Sequence, residues 1–212
     1  MAYDHEEQEH LDALKAWWKQ YGRLVIVAVL GGALAIGGVQ GWRYYQSREA
    51  AAASNLFEQL QKAEEAREHK KVKDIAGQIE SRHARTHYAA LAALAAAKSD
   101  VETGDLASAK KRLQQVVSEA KEDEVRDIAR LRLARVQFDE KDLDGTLKTL
   151  EAAHGAAFDG LFADLRGDVL QAQVKRSDAR AAYQLARDKS EATSPLRQII
   201  QMKLDALGEG KR

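Results

Sequence analysis

Between Arg23 and Arg43 the chain reads LVIVAVLGGALAIGGVQGW, nineteen residues without a charge in a sequence that is 31% charged. As a helix, at about 1.5 Å per residue, this stretch covers about 28 Å, close to the ~30 Å hydrocarbon thickness of a bilayer. All three tryptophans flank it, Trp17 and Trp18 before and Trp42 after, joined by Tyr21, Tyr44 and Tyr45. Amphipathic rings at both ends are what the two membrane–water interfaces favour. The stretch is therefore expected to be one transmembrane helix held by two aromatic belts in membrane lipid.

Nine large aliphatics (Leu24, Val25, Ile26, Val27, Val29, Leu30, Leu34, Ile36 and Val39) favour insertion, together by about 3–5 kcal/mol. Five glycines and Gln40 reduce that figure. A buried core helix is the bland alternative. A cleaved signal peptide is the stronger rival, since Ala33-Leu34-Ala35 has the small-x-small form of a cleavage site. Against cleavage stand the acidic leader (Asp4, Glu6, Glu7, Glu9, Asp12) and an apolar run that continues to Val39. Within the span Ala33, Gly37 and Gly41 recur every fourth residue, a spacing that lets another helix approach closely. These three are the candidate helix–helix packing residues. Within about fifteen residues of either end, Lys15, Lys19 and Arg23 precede the span and Arg43 and Arg48 follow it. Charge alone gives a slight vote for a cytoplasmic N-terminus.

Of 33 basic and 33 acidic residues, three and five precede residue 43, so the remainder is near +2. No basic stripe with interleaved aromatics appears, which argues against a nucleic-acid surface. The absence of cysteine excludes a disulfide framework, a thiolate zinc site and a cysteine nucleophile. It also fits an oxidising compartment. One proline, Pro195, and abundant alanine point to an all-α fold.

The region after the span reads as antiparallel helix pairs. Leu56, Leu60 and Ala63 form a stripe on a helix from Arg48 to His69, followed by a shorter helix carrying Ile75 and Ile79. Then one template recurs three times. Tyr88 to Thr103 turns at Gly104-Asp105, Ile128 to Glu140 turns at Lys141-Asp142, and Leu161 to Gln173 turns at Lys175-Arg176. The small positions Ala109, Thr146 and Ala179 lie 37 and 33 residues apart, as do Ala97, Ala134 and Gly167. A period near 34 with small residues where helices touch is the mark of tetratricopeptide-like repeats. A last helix opens with Ser194 as N-cap and Pro195 at its first position. Its stripe Leu196, Ile199, Ile200, Lys203, Leu204 and Leu207 is expected to cap the stack. The expected domains are a leader (1–23), a transmembrane helix (24–42), a membrane-proximal helix pair (43–85) and repeats with a capping helix (86–212).

Chemistry is sparse. Glu140 to Gly145 followed by Glu151 imitates an EF-hand loop, but Glu140 stands where Asp is required and Lys148 puts a cation at a ligand position. Leu143, Leu147 and Leu150 also make a helical stripe through the supposed loop. His83 and His87 are four apart without a catalytic Glu between them, and Thr86 reads as the cap of a new helix. Phosphate loops and nucleophile elbows are absent. The expectation is no catalytic residue, no metal, no cofactor and no small-molecule substrate. The long charged faces read as solvated helix surface.

Several stretches resemble one family. GWRYY (41–45), THYAALAAL (86–94), LRLARVQ (131–137), ADLRGD (163–168) and QMKLD (201–205) occur in the same order in the YfgM-like ancillary subunits of the bacterial SecYEG translocon. In the leader only character and length agree. The resemblance implies an inner-membrane protein, single pass, with a short cytoplasmic N-terminus and a periplasmic tetratricopeptide-like domain. It further implies association with the SecYEG translocon and with a membrane-anchored periplasmic chaperone of parvulin-like type, and it transfers no catalytic residue. The expected function is a non-catalytic scaffold of protein export; the alternative is a membrane-tethered chaperone that binds unfolded clients directly.

Overall fold

The structure is a computed structural model that describes the backbone of residues 3–208 and the side chains of residues 14–208. The acidic side chains of the leader lie outside the described residues. The helices are α1 (Tyr3–Glu65), α2 (His69–Arg82), α3 (His87–Glu102), α4 (Leu106–Glu119) and α5 (Asp123–Asp139). They continue with α6 (Leu143–Leu150), α7 (Asp159–Ala172), α8 (Arg176–Lys189) and α9 (Pro195–Ala206). No strand occurs among the described residues, so the fold is all-α as expected. Two compact units are distinguished, Met1–Ala51 and Ala52–Arg212.

The first unit is a stretch of α1 alone. No proline interrupts it, and eight of the nine large aliphatic residues in the span are exposed, from Ile26 at 49% to Leu34 at 78% accessible. A soluble protein rarely leaves so large an apolar surface uncovered.

The second unit begins within α1 and repeats one turn four times. At the ends of α1, α3, α5 and α7, Arg67, Gly104, Lys141 and Val174 all have positive φ, between 56° and 81°. Each of the four donates its N–H to the carbonyl three residues back, and the next residue donates to the carbonyl five residues before it. Thus Glu68, Asp105, Asp142 and Lys175 bond to Ala63, Asp100, Gln137 and Leu170. This pair of bonds satisfies carbonyls that a helix end leaves orphaned. The residue after the left-handed one then opens the next helix with ψ of 67°, 68°, 72° and 67° in the four cases. Asp105 and Asp142 use their carboxylates as caps, accepting from Ser108 N at 3.1 Å and Gly145 N at 3.0 Å. The turn at Arg67 stands 37 residues before Gly104, so the helix pair ahead of residue 86 shares the register of the later ones.

Packing follows the same rhythm. Four apolar clusters are each built from three consecutive helices: α1–α2–α3, α3–α4–α5, α5–α6–α7 and α7–α8–α9. The first helix of each pair after α1 therefore buries two faces, one toward each neighbouring cluster, and the stack has one continuous core. The repeat's small positions Ala97, Ala134, Ala109, Thr146 and Ala179 are at most 1% accessible.

Three local expectations change. The helix expected to reach His69 stops at Glu65, because Arg67 turns left-handed. Thr86 precedes α3, but its hydroxyl donates to His83 O at 2.8 Å and accepts no cap bond. Ile200 and Leu204 are buried in the capping helix, whereas Ile199 is 45% exposed. Residue 199 is one helical step, about 100°, off the stripe.

Candidate functional site

The aromatic rings flanking the apolar stretch of α1 pair with one another along the helix. Trp17 packs near Trp18 and Tyr21, with centroids 6.4 and 5.9 Å apart, and Trp42 near Tyr45 at 6.2 Å. Trp18 lies over Gly22, one turn on, where an added Cβ would come within 3.0 Å of the indole. Arg48 rests 5.0 Å from the Tyr44 centroid. Tyr21 and Trp42 are 21 residues apart, about 32 Å along a helix, which matches a bilayer's apolar thickness.

Ala33, Gly37 and Gly41 share one side of α1 by their spacing, and Gly37 and Gly41 have open space where a Cβ would stand.

The local motifs resolve into structure. Helix α6 runs through the supposed calcium loop, with Asp144 and Gly145 in its first turn and Asp142 engaged as its cap. α2 ends at Arg82 and α3 starts at His87, so His83 and His87 occupy different elements. The His87 ring lies tilted against Tyr88, with centroids 4.0 Å apart. Among the described residues no group of three or more His, Cys, Asp or Glu is placed to hold a metal.

Sequence reasoning passed over a set of carboxylates that stacking buries. Asp100, 1% exposed, accepts from Arg112 Nε at 3.0 Å and faces Lys73 Nζ at 3.3 Å. Arg112 also holds Glu80 at 3.1 Å; burial raises the Glu80 carboxyl above its ordinary range, against the pull of Arg112. Asp127 accepts from Arg130 at 2.6 Å and from Gly155 N at 2.9 Å. At the C-terminal end Lys203 of α9 reaches Asp164 and Asp168 of α7, both at 2.7 Å. Burial raises Asp164 despite that lysine. These groups fix neighbouring helices to one another. Their only sequence signal is charge at helix positions that later prove internal.

What remains open to partners are grooves between helices. One of about 620 Å³ runs over α7 and α8, where α6 is only 8 residues long against 14 in α2, α4 and α8. Its floor includes Phe162, Leu170 and Ala182, with His154 stacked on Phe162 at 3.9 Å. A second, of about 230 Å³, lies between α3 and α5 and is lined by Ala97, Val101, Leu113, Val136 and charged side chains.

Comparison with known proteins agrees with this architecture. The Tetratricopeptide repeat-like domain family matches residues 15–209. A Haemophilus influenzae protein named Ancillary SecYEG translocon subunit is 35% identical over 98% of this chain and 100% of its own length. Proteins of the same name from Escherichia coli K12 and Neisseria gonorrhoeae are 32% and 30% identical over 95% and 98% of this chain, and over 96% and 100% of their own lengths. No solved structure matches the chain. The similarity takes in the apolar span as well as the helix pairs, and the chain belongs to the family of tetratricopeptide repeat-like proteins that includes the ancillary SecYEG translocon subunits.

Proposed function

We propose that the protein is a non-catalytic, membrane-anchored scaffold of the Sec export machinery. In this reading it has a cytoplasmic N-terminus and a periplasmic repeat domain, and links the translocon to a membrane-anchored chaperone of parvulin-like type. The observation that carries it is the near full-length similarity to relatives named as translocon subunits, which includes the anchor. Confinement by α1 raises the repeat domain's effective concentration near other membrane proteins without any new contact. Gly37 and Gly41, open on one side of α1, suit close approach of a partner's helix.

The test is affinity purification of the tagged full-length chain from native membranes in mild detergent, with protease treatment of spheroplasts in parallel. SecYEG subunits and the chaperone should co-purify, and external protease should remove the repeat domain. Absence of SecYEG refutes the scaffold; protection of the repeats in intact spheroplasts refutes the orientation. The apolar floor of the α7–α8 groove favours a second reading, direct holding of unfolded clients. Suppression of a model substrate's aggregation by the protein in nanodiscs, without translocon present, would favour that reading.

A further inference from the structure

The groove between α3 and α5 combines an uncovered aliphatic with a cation that no carboxylate bonds. Leu113 and Val136 in its floor are buried, at 1% and 2%, but Val101 at its mouth is 37% exposed. Three cations and one carboxylate, Asp139, line it. Lys98 is committed to Glu64 at 2.6 Å, and Arg135 reaches Asp168 at 3.4 Å. Arg132 differs from both. It donates one N–H to Leu94 O at 3.1 Å, and the carboxylate that acts on it, Glu64, is itself bonded to Lys98. The surrounding protein strips water from the guanidinium and pushes its pKa below the usual range, an effect that outweighs the attraction of Glu64. A guanidinium in that state gains most from a carboxylate, which its planar fork binds through two parallel hydrogen bonds. The cavity, about 230 Å³, is smaller than the ~300 Å³ at which small-molecule sites begin, and suits a single side chain with its neighbour.

We propose that this groove binds an acidic segment of a partner protein, seating an aliphatic side chain against Val101 and Val136 and an adjacent carboxylate on Arg132. The proposal rests on the scaffold reading and assigns it a recognition chemistry.

The experiment is fluorescence anisotropy with the full-length chain in nanodiscs. The probes are a fluorescein-labelled peptide of Leu-Glu-Glu-Leu repeats and its counterpart with glutamine for glutamate. The glutamate peptide should bind about tenfold more tightly, as expected for one charge-assisted pair, and the advantage should shrink with added salt. Arg132→Gln should abolish the preference, Arg132→Lys should keep part of it, and Arg166→Gln, in the α7–α8 groove, should not change it. Val101→Glu, at the exposed mouth, provides a second variant that should lose binding with its helical signal intact. Binding by neither peptide, equal binding of both, or a preference that survives Arg132→Gln overturns the proposal. So does a wild-type dimer that Arg132→Gln dissociates, because the occupant is then a second copy. SecYEG recovery is measured on the same proteins. Its absence from the wild type sinks the scaffold, whereas loss of peptide preference with recovery intact sinks the groove alone.

Discussion

Gly167→Ala tests the packing of the last repeat most sharply. In a helix interior this exchange ordinarily helps, by about 0.8–1.0 kcal/mol. At Gly167, however, an added Cβ would stand 2.4 and 2.5 Å from two ring carbons of Tyr183. Ordinary contact begins near 3.4 Å, so the ring must retreat by about 1 Å. It has nowhere to go. Tyr183 is 0% exposed, and its hydroxyl lies 2.8 Å from both Asp168 Oδ1 and Gln171 Oε1. Lys203 sits 5.3 Å from the ring centroid on the remaining side. Overpacking costs about 1–3 kcal/mol, and displacing the hydroxyl from a carboxylate about 1.5–3 kcal/mol more. Against the propensity gain, the net loss is about 1.5–5 kcal/mol.

Gly77 is the control. It lies within α2 with nothing within 4 Å of an added Cβ, so Gly77→Ala should stabilise by about 0.5–1 kcal/mol. Urea unfolding followed by far-ultraviolet circular dichroism reads both, and hydrogen exchange locates the Gly167 effect to α7–α9. Adding Tyr183→Leu to Gly167→Ala should recover part of the loss, a non-additivity expected of touching residues. If Gly167→Ala behaves like Gly77→Ala, the tyrosine is not pinned and the packing argument fails.

Val174, 75% exposed at φ 64°, is a β-branched residue where left-handed backbone costs about 1–2 kcal/mol. Allowing for glycine's greater freedom when unfolded, Val174→Gly should raise the urea midpoint by an amount worth about 0.5–1 kcal/mol. Asp164 has a folded pKa raised first by burial, so the folded state holds its proton more tightly than the unfolded chain. Its contribution is favourable below the unfolded value of 3.8 and is lost as pH rises through the folded one. Asp164→Asn should therefore be neutral or stabilising at pH ~7, and the gap should shrink on acidification below 3.8; a gap that widens on acidification reverses the sign and refutes it. Gly37→Leu with Gly41→Leu should cut SecYEG recovery several-fold while alkaline carbonate still fails to extract the protein, and undiminished recovery removes this face from the contact.

The anchor was readable because its signal is local: nineteen uncharged residues and their flanking rings need no tertiary context. The repeats were readable where small residues mark helix contacts, at Ala97, Ala134 and Gly167 and at Ala109, Thr146 and Ala179. The same register runs through the pair α1–α2, but there Leu60 and Val72 occupy the small positions, fully buried all the same. Of the four left-handed turns only Gly104 advertises itself, since Arg67, Lys141 and Val174 adopt the conformation without glycine. The charges at the future interfaces were harder still. Asp100 and Asp164 look like solvated helix residues until the neighbouring helices arrive, and burial is then a property of the stack. Arg132 is unmarked for the same reason: its burial and its bond to Leu94 O exist only once α3 and α5 pack.

A one-dimensional stack must close both ends with polar surface, and this chain does so by different means. At the start the closing element is the tail of α1, whose Leu60 and Ala63 face α2 and α3 while Asn55, Glu58, Gln59 and Lys62 face solvent. The membrane helix therefore supplies the first helix of the stack. At the far end α9 does the work, with Ile200 and Leu204 inward and Lys203 held by two carboxylates of α7. Its outward side is less complete, since Ile199 and Met202 are 45% and 63% exposed beside Gln198, Gln201 and Asp205. Between these ends, helices α3, α5 and α7 spend two faces on the core. Only a third face remains for recognition, crossed by the pairs Glu64–Lys98 and Arg135–Asp168. Those pairs neutralise the face wherever both partners are present. Under the proposal made for the α3–α5 groove, Arg132→Gln should change peptide preference and cost the fold its one bond to Leu94 O.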